Sequence, residues 1–245
     1  MVHLDDDEVH LWQAQLPLAE ADETELRQWL SAEEWQRASS IPFVEQRQLY
    51  LGQRATMRRI LAGYCAVEPS QLLLQRTENG KPLLAEPHAA LQFNLSHSGR
   101  WFYLAVARHR ALGVDLERSR QRSAEQSLAL ACRFFHPDEC AALRRLPSEQ
   151  LNDAFLACWV RKEAYIKCRG ATIAHHCHRF VVTVAPQQPP AVLLAPEPQT
   201  STIQLLDLQA PEGYRAALAI VGQQRVPLSC HSWRALQSGS ERLPE

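Results

Sequence analysis

No apolar run in this 245-residue chain approaches the ~20 residues that a membrane-crossing helix needs, which argues against a helical membrane protein. Neither sign of charge is in excess. The 26 Lys and Arg stand against 27 Asp and Glu, a formal net charge of -1, so no broadly basic, nucleic-acid-binding surface is expected and any positive site must be local. No basic segment followed by an apolar core opens the chain; Met1–Glu8 is acidic, and no signal peptide is expected. No C-x-x-C occurs among the 7 cysteines (Cys65, Cys132, Cys140, Cys158, Cys168, Cys177 and Cys230). Their odd number and scattered spacing predict free thiols in a reducing compartment, the cytoplasm. What is present, 46% hydrophobic and 22% charged residues, is the composition of an ordinary folded protein with a substantial core.

Glycine and proline are also absent from Ser148 to Lys167, so this stretch predicts one helix, with Ser148 as N-cap and Gly170 just past its end. A second helical pattern runs from Phe43 to Cys65, with Tyr50, Met57, Leu61 and Tyr64 recurring at helical intervals. Shorter helices are expected at Asp22–Leu30, Ser31–Ser39, Ser123–Phe134 and Pro137–Leu146, the second opened by a capping box of Ser31 and Glu34. Strands are expected at Val9–Leu16, Leu72–Thr77 and Leu91–Leu95, then at Trp101–Ala107 and Leu112–Glu117, paired around the turn Arg108–Ala111. Four more follow near Arg179–Val184, Val192–Leu194, Thr202–Leu208 and Tyr214–Val221. The Pro-rich stretch Pro186–Pro198 reads as a surface connection, and the polar tail from Ser238 as frayed. Each half thus offers a long helix followed by strands, with the crossover near Leu112 and no clean sequence repeat.

Two segments carry candidate chemistry. On the helix, Glu163 and Lys167 are four apart and share a face. Alone, such a pair is most often a surface contact worth only ~0.3–0.5 kcal/mol. In G-V-D-L-E (113–117) apolar and acidic residues alternate, so on a strand Asp115 and Glu117 point the same way. Taken alone, that is most often a merely polar strand face. Together with Glu163 they make an oxygen-only set suited to a hard cation such as Mg2+. Arg47, Arg54 and Arg58 fall within about 40° of one another on the Phe43–Cys65 helix, a stripe with few acids interleaved and so available to an anion. Such stripes are more often simply solvated. His97 follows a strand where small neighbours leave its ring open to a phosphate. A cleft between the two halves would receive acids from one side and cations from the other.

In order, N-G-K-P (79–82), F-N-L-S-H-S (93–98), G-V-D-L-E (113–117), R-F-F (133–135) and W-V-R-K-E-A-Y-I-K (159–167) resemble the motif series of the Sfp-type 4′-phosphopantetheinyl transferases. The similarity spans about Glu33 to Gly170, and its specificity lies in the ordered set. The resemblance implies an α/β (α+β) monomer of two similar subdomains with pseudo-twofold symmetry, each a long helix packed on a mainly antiparallel sheet, at 1–111 and 112–237, before a disordered tail at 238–245. It implies transfer of the phosphopantetheine arm of coenzyme A to a serine of an apo acyl or peptidyl carrier protein, releasing adenosine 3′,5′-bisphosphate. By motif position Asp115, Glu117 and Glu163 would hold Mg2+, with Mn2+ as a substitute. Lys81, Ser96 and His97 would contact CoA phosphates, Arg54 and Arg76 the 3′-phosphate, and Lys167 the pyrophosphate. After Lys167 the family continues with a G-x-G-[LI]-like turn, whereas Cys168–Ile173 keeps a single glycine.

Two other classes fit parts of the pattern: a non-catalytic CoA- or carrier-binding module, and a Mg2+-dependent hydrolase of CoA or a nucleotide. His175-His176-Cys177-His178 invites a zinc site, but adjacent ligands have poor bite and nothing completes the set, so a plain loop is expected. Trp12, Trp29, Trp35 and Trp101 sit among apolar residues and should pack in the core or at an interface.

Overall fold

Two long helices and two sheets frame the protein, which a computed structural model describes over residues 2–16, 23–171, 177–195, 202–222 and 226–233. In chain order the elements begin with β1 (Val9–Gln15), α1 (Glu23–Trp29), α2 (Ala32–Ser39), α3 (Val44–Cys65), β2 (Leu74–Arg76), β3 (Pro82–Leu84), β4 (Leu91–Ser98) and β5 (Trp101–Arg108). They continue with β6 (Leu112–Arg118), α4 (Ala124–Phe134), α5 (Pro137–Arg144), α6 (Ser148–Cys168), β7 (Val181–Val182), β8 (Val192–Leu194), β9 (Ile203–Leu208), β10 (Tyr214–Val221) and β11 (Leu228–Trp233). The capping box at Ser31 forms, and a second one joins Ser123 to Gln126. The cap of α6 is Pro147 rather than Ser148, which is already helical. Among the described residues no helix is long and apolar enough to cross a membrane.

The first sheet has the order β11-β1-β5-β4 and the second β6-β10-β9; every pairing is antiparallel except β1 with β11. Strand alternation then builds layers. Phe102, Leu104 and Val106 of β5 turn toward Met57, Ile60, Leu61 and Tyr64 of α3. Tyr103, Ala105 and Ala107, on the opposite face, pack against Leu112, Val114 and Leu116 of β6 and Leu218 and Ile220 of β10. Ala217 and Ala219, on the far face of β10, pack under Val160, Ala164 and Cys168 of α6. The result is helix, sheet, sheet, helix, each half a long helix on a mainly antiparallel sheet. Each large aliphatic or aromatic side chain buried in these seams contributes ~1.5–3 kcal/mol. Trp12 is buried, and Trp29, Trp35 and Trp101 are partly buried against apolar clusters, the packing expected of them.

Three expectations need correcting. Trp101–Ala107 and Leu112–Glu117 do not form a hairpin: both edges of β5 are taken by β1 and β4, so after the turn at His109 the chain starts the second sheet instead. The 112–237 grouping also has an exception, because β11 returns to the first sheet and lies parallel on the open edge of β1. Finally, not all cysteines are free. Packing of α4 on α5 brings the Cα atoms of Cys132 and Cys140 to 5.3 Å, and the two are joined as a disulfide. Cys65, Cys158, Cys168 and Cys177 are buried thiols, and Cys230 is exposed. His175, His176 and the tail from Ser238 lie outside the described residues.

Candidate active site

The site begins at Gly113, where α6 lies directly on β6. A Cβ built there would stand 2.2 Å from the Ala164 carbonyl oxygen and 2.3 Å from the Cys168 nitrogen, both backbone. The glycine of G-V-D-L-E is thus required by close approach rather than by an unusual φ. The next residues on that face are Asp115 and Glu117, which the close packing brings beneath Glu163 and Lys167. The Lys167 ammonium donates to Asp115 Oδ1 at 2.6 Å, to Ser96 Oγ at 3.1 Å and to the Val114 carbonyl at 3.1 Å.

Between the sheets, β4 treats the open edge of β6 in an unusual way. Asn94, Ser96 and Ser98 point at it, and their side-chain oxygens accept from the N–H groups of Val114, Leu116 and Arg118. Side chains here replace a missing strand, since buried N–H groups must find an acceptor. The same hydroxyls donate onward, Ser96 to Asp115 Oδ1 and Ser98 to Glu117 Oε2, each at 2.9 Å.

Glu163 is 6% exposed, and its carboxyl is pushed up to about 8. Burial is the main cause, then the charge of Asp115; Lys167 opposes the shift and Glu117 adds to it. Among the described residues no three His, Cys, Asp or Glu side chains already stand as a metal-holding group. Two features nonetheless fit a divalent cation. Among the described residues Asp115 Oδ2 is buried without a hydrogen-bond partner, and Asp115 and Glu117 both press on the Glu163 carboxyl with Lys167 as the opposing cation. Hard oxygen donors with an orphaned lone pair suit Mg2+ better than a softer ion. Asp115, Glu117 and Glu163 are the residues that could hold it.

Beside the acids lies a cavity of about 250 Å³, lined by Arg54, Asn79, Lys81, Asn94, Lys167 and Gly170 among others. The expected basic residues divide here by what already holds them. Among the described residues Arg54 reaches the cavity with only Tyr50 and the Met57 sulfur as partners, so its charge is open to an anion. Lys81 lines the cavity, but its ammonium donates to the carbonyls of Leu112 and Lys167 at 3.0 and 2.9 Å, and burial holds its pKa below the usual value. Ser96 is buried in the ladder just described. His97 is the exposed seventh residue of β4 rather than part of a loop. Partial enclosure, then the cations Lys167 and Arg54, keep its imidazole below its ordinary pKa. Arg76 is exposed, bonded to the Gly80 carbonyl and not part of the cavity wall. The stripe of arginines also breaks up: Arg58 is buried against Glu34 and the carbonyls of Pro69 and Leu72.

Sequence reasoning missed several supports. Asn79 donates to the Gly170 carbonyl at 2.8 Å and, with Lys81, ties the N-G-K-P turn to the end of α6. Asn94 and Ser98 are readable in the sequence as polar residues at period two, opposite the apolar Leu91, Phe93 and Leu95. Arg161 and Lys162 in the central motif serve the core. Arg161 pairs with Asp207, and Lys162 with Glu139 at 2.7 Å, the latter pair fully buried.

Comparison with known proteins places these features in a lineage. The family model described as 4′-phosphopantetheinyl transferase superfamily matches residues 111–219, and the one described as 4′-phosphopantetheinyl transferase, N-terminal, matches 18–109. The chain is 38% identical to the 4′-phosphopantetheinyl transferase HetI of Nostoc sp., over 88% of this chain and 89% of that protein. It is 30% identical to the 4′-phosphopantetheinyl transferase psf-1 of Bacillus pumilus, over 76% and 73%. Among solved structures, a holo-(acyl-carrier-protein) synthase from Bacillus anthracis aligns with 45% of this chain and 94% of its own at 13% identity and a TM-score of 0.34, too slight a likeness to bear on the site.

Proposed function

The chain belongs to the 4′-phosphopantetheinyl transferase superfamily and is an enzyme of that class, and from this premise we propose that the acids, Lys167 and the cavity beside them form its reaction centre. CoA lies in the cavity with its phosphates toward Arg54 and Lys167, and with Arg76 and His97 at the rim. Arginine's planar fork suits a terminal phosphate, here the 3′-phosphate. The carrier-protein serine enters from the open side. Its oxygen forms a bond to the phosphorus bearing the pantetheine, and the bond from that phosphorus to the bridging oxygen breaks, releasing adenosine 3′,5′-bisphosphate.

Glu163 takes the serine proton, directly or through a water, as a carboxylate in reach of the hydroxyl can do once it is ionised. Lys167 donates to the departing phosphate, moving off Asp115 to do so. Lys81 and Asn79 hold the end of α6 so that Glu163 and Lys167 keep their places. Asp115, Glu117 and Glu163 would hold Mg2+, or Mn2+ in its stead, and the ion when bound would supply neutralisation of charge on the pyrophosphate oxygens.

The observation that carries this reading is the orphaned, buried Asp115 Oδ2 beside the Glu163 carboxyl, which is raised first by burial and then by the charge of Asp115. The test is incubation with CoA, Mg2+ and an apo acyl or peptidyl carrier protein, followed by weighing the carrier. Wild type should add one phosphopantetheine to its serine. Glu163→Gln and Asp115→Ala should abolish the mass gain with the thermal melt nearly intact; retained turnover would remove those acids from the mechanism.

A further inference from the structure

The two serines of β4 repeat one arrangement. Ser96 accepts from the Leu116 N–H and donates to Asp115; Ser98 accepts from the Arg118 N–H and donates to Glu117. In each case the hydroxyl takes the backbone proton of one residue and gives its own to the carboxylate of the residue before it. The geometry fixes direction as well as position. A hydroxyl with an N–H already aimed at its lone pair turns its own hydrogen the other way, toward the carboxylate. That ties Oδ1 of Asp115 and Oε2 of Glu117, and among the described residues Oδ2 of Asp115 is a buried oxygen without a partner.

We propose that Ser98 is a positioning residue that selects which oxygen of Glu117 is offered to the cation, as Ser96 does for Asp115. This rests on the reading of Asp115, Glu117 and Glu163 as a divalent-cation site. Groups that orient metal ligands from behind affect affinity by ~10–100-fold when removed. An edge cap alone would affect stability and nothing else.

The experiment is a Mn2+ titration of the full-length, metal-free protein with CoA present, read by electron paramagnetic resonance. Ser98→Ala should weaken Mn2+ binding ~10–100-fold, and Ser98→Thr, which keeps the hydroxyl, should restore it. CoA binding in the presence of chelator should not change. Because Ser98 acts through Glu117, Ser98→Ala and Glu117→Gln should be non-additive in Mn2+ affinity. Wild-type Mn2+ affinity in Ser98→Ala, or additivity of the two changes, would overturn the proposal. A wild-type protein that takes up no Mn2+ would overturn the cation site itself, and the proposal with it. Should the alanine variant not fold, Ser98→Cys gives the same comparison, because the thiol accepts from Arg118 but donates poorly.

Discussion

Replacing Gly113 with alanine would force α6 off β6. The new Cβ would stand 2.2 Å from the Ala164 oxygen, 2.3 Å from the Cys168 nitrogen and 2.8 Å from the Lys167 carbonyl carbon. All three are backbone atoms, so no rotamer change relieves the clash. To reach ordinary contact the helix must withdraw by about 1 Å. The Lys167–Asp115 bond at 2.6 Å and the Lys81 bond to the Lys167 carbonyl at 2.9 Å would then stretch past useful length. Overpacking of this kind costs ~1–3 kcal/mol, and each kcal/mol lowers the melting midpoint of a chain this size by roughly 2–4 °C. Misplacing a base and an acid by about 1 Å costs on the order of 10²-fold in rate. The assay pairs a thermal melt with single-turnover transfer to an apo carrier protein. A variant with wild-type kcat, whatever its Tm, would refute the argument that the contact at Gly113 sets the catalytic geometry.

Three further outcomes follow from the same physics. In the metal-free protein Glu163 rises from 4.5 to about 8 on folding, so folding favours its protonated form; the stabilisation is present below pH 4.5 and lost as pH rises through about 8. Wild type should therefore lose stability relative to Glu163→Gln across that window in chelator, and a constant difference in Tm would sink the assignment. Arg54→Ala should raise the KM for CoA ~10-fold or more with little change in Tm, since it removes a charge-assisted contact. Arg58→Ala should do the reverse, because it strands Glu34 and two carbonyls; swapped phenotypes would show the two arginines misassigned. Lys162→Met leaves Glu139 buried and unpaired and should cost ~3–5 kcal/mol in urea unfolding. Adding Glu139→Leu should recover only part, because Glu139 also accepts from the Val182 and His136 N–H groups; full recovery would contradict that accounting.

Much of this was legible in one dimension. The long helices at Val44–Cys65 and Ser148–Cys168 and the acids of β6 follow from apolar periodicity and alternation, which depend on near neighbours only. The failures share a cause. The false hairpin of β5 and β6 looked right locally and was decided by β1 and β4 having taken both edges of β5. The strand β11 was invisible because its partner lies at the opposite end of the sequence. The arginine stripe held no information on which guanidinium Glu34 would claim.

By itself, then, the sequence determined the helical and extended segments, the order of the motifs, and the sharing of one strand face by Asp115 and Glu117. Tertiary structure alone decided which charged groups remain available: Arg54 but not Arg58, and Asp115 Oδ2 but not Oδ1. The reason is physical. Periodicity fixes the direction in which a side chain leaves the backbone, whereas its charge is free for a substrate only if no distant carbonyl, hydroxyl or carboxylate has been folded against it first.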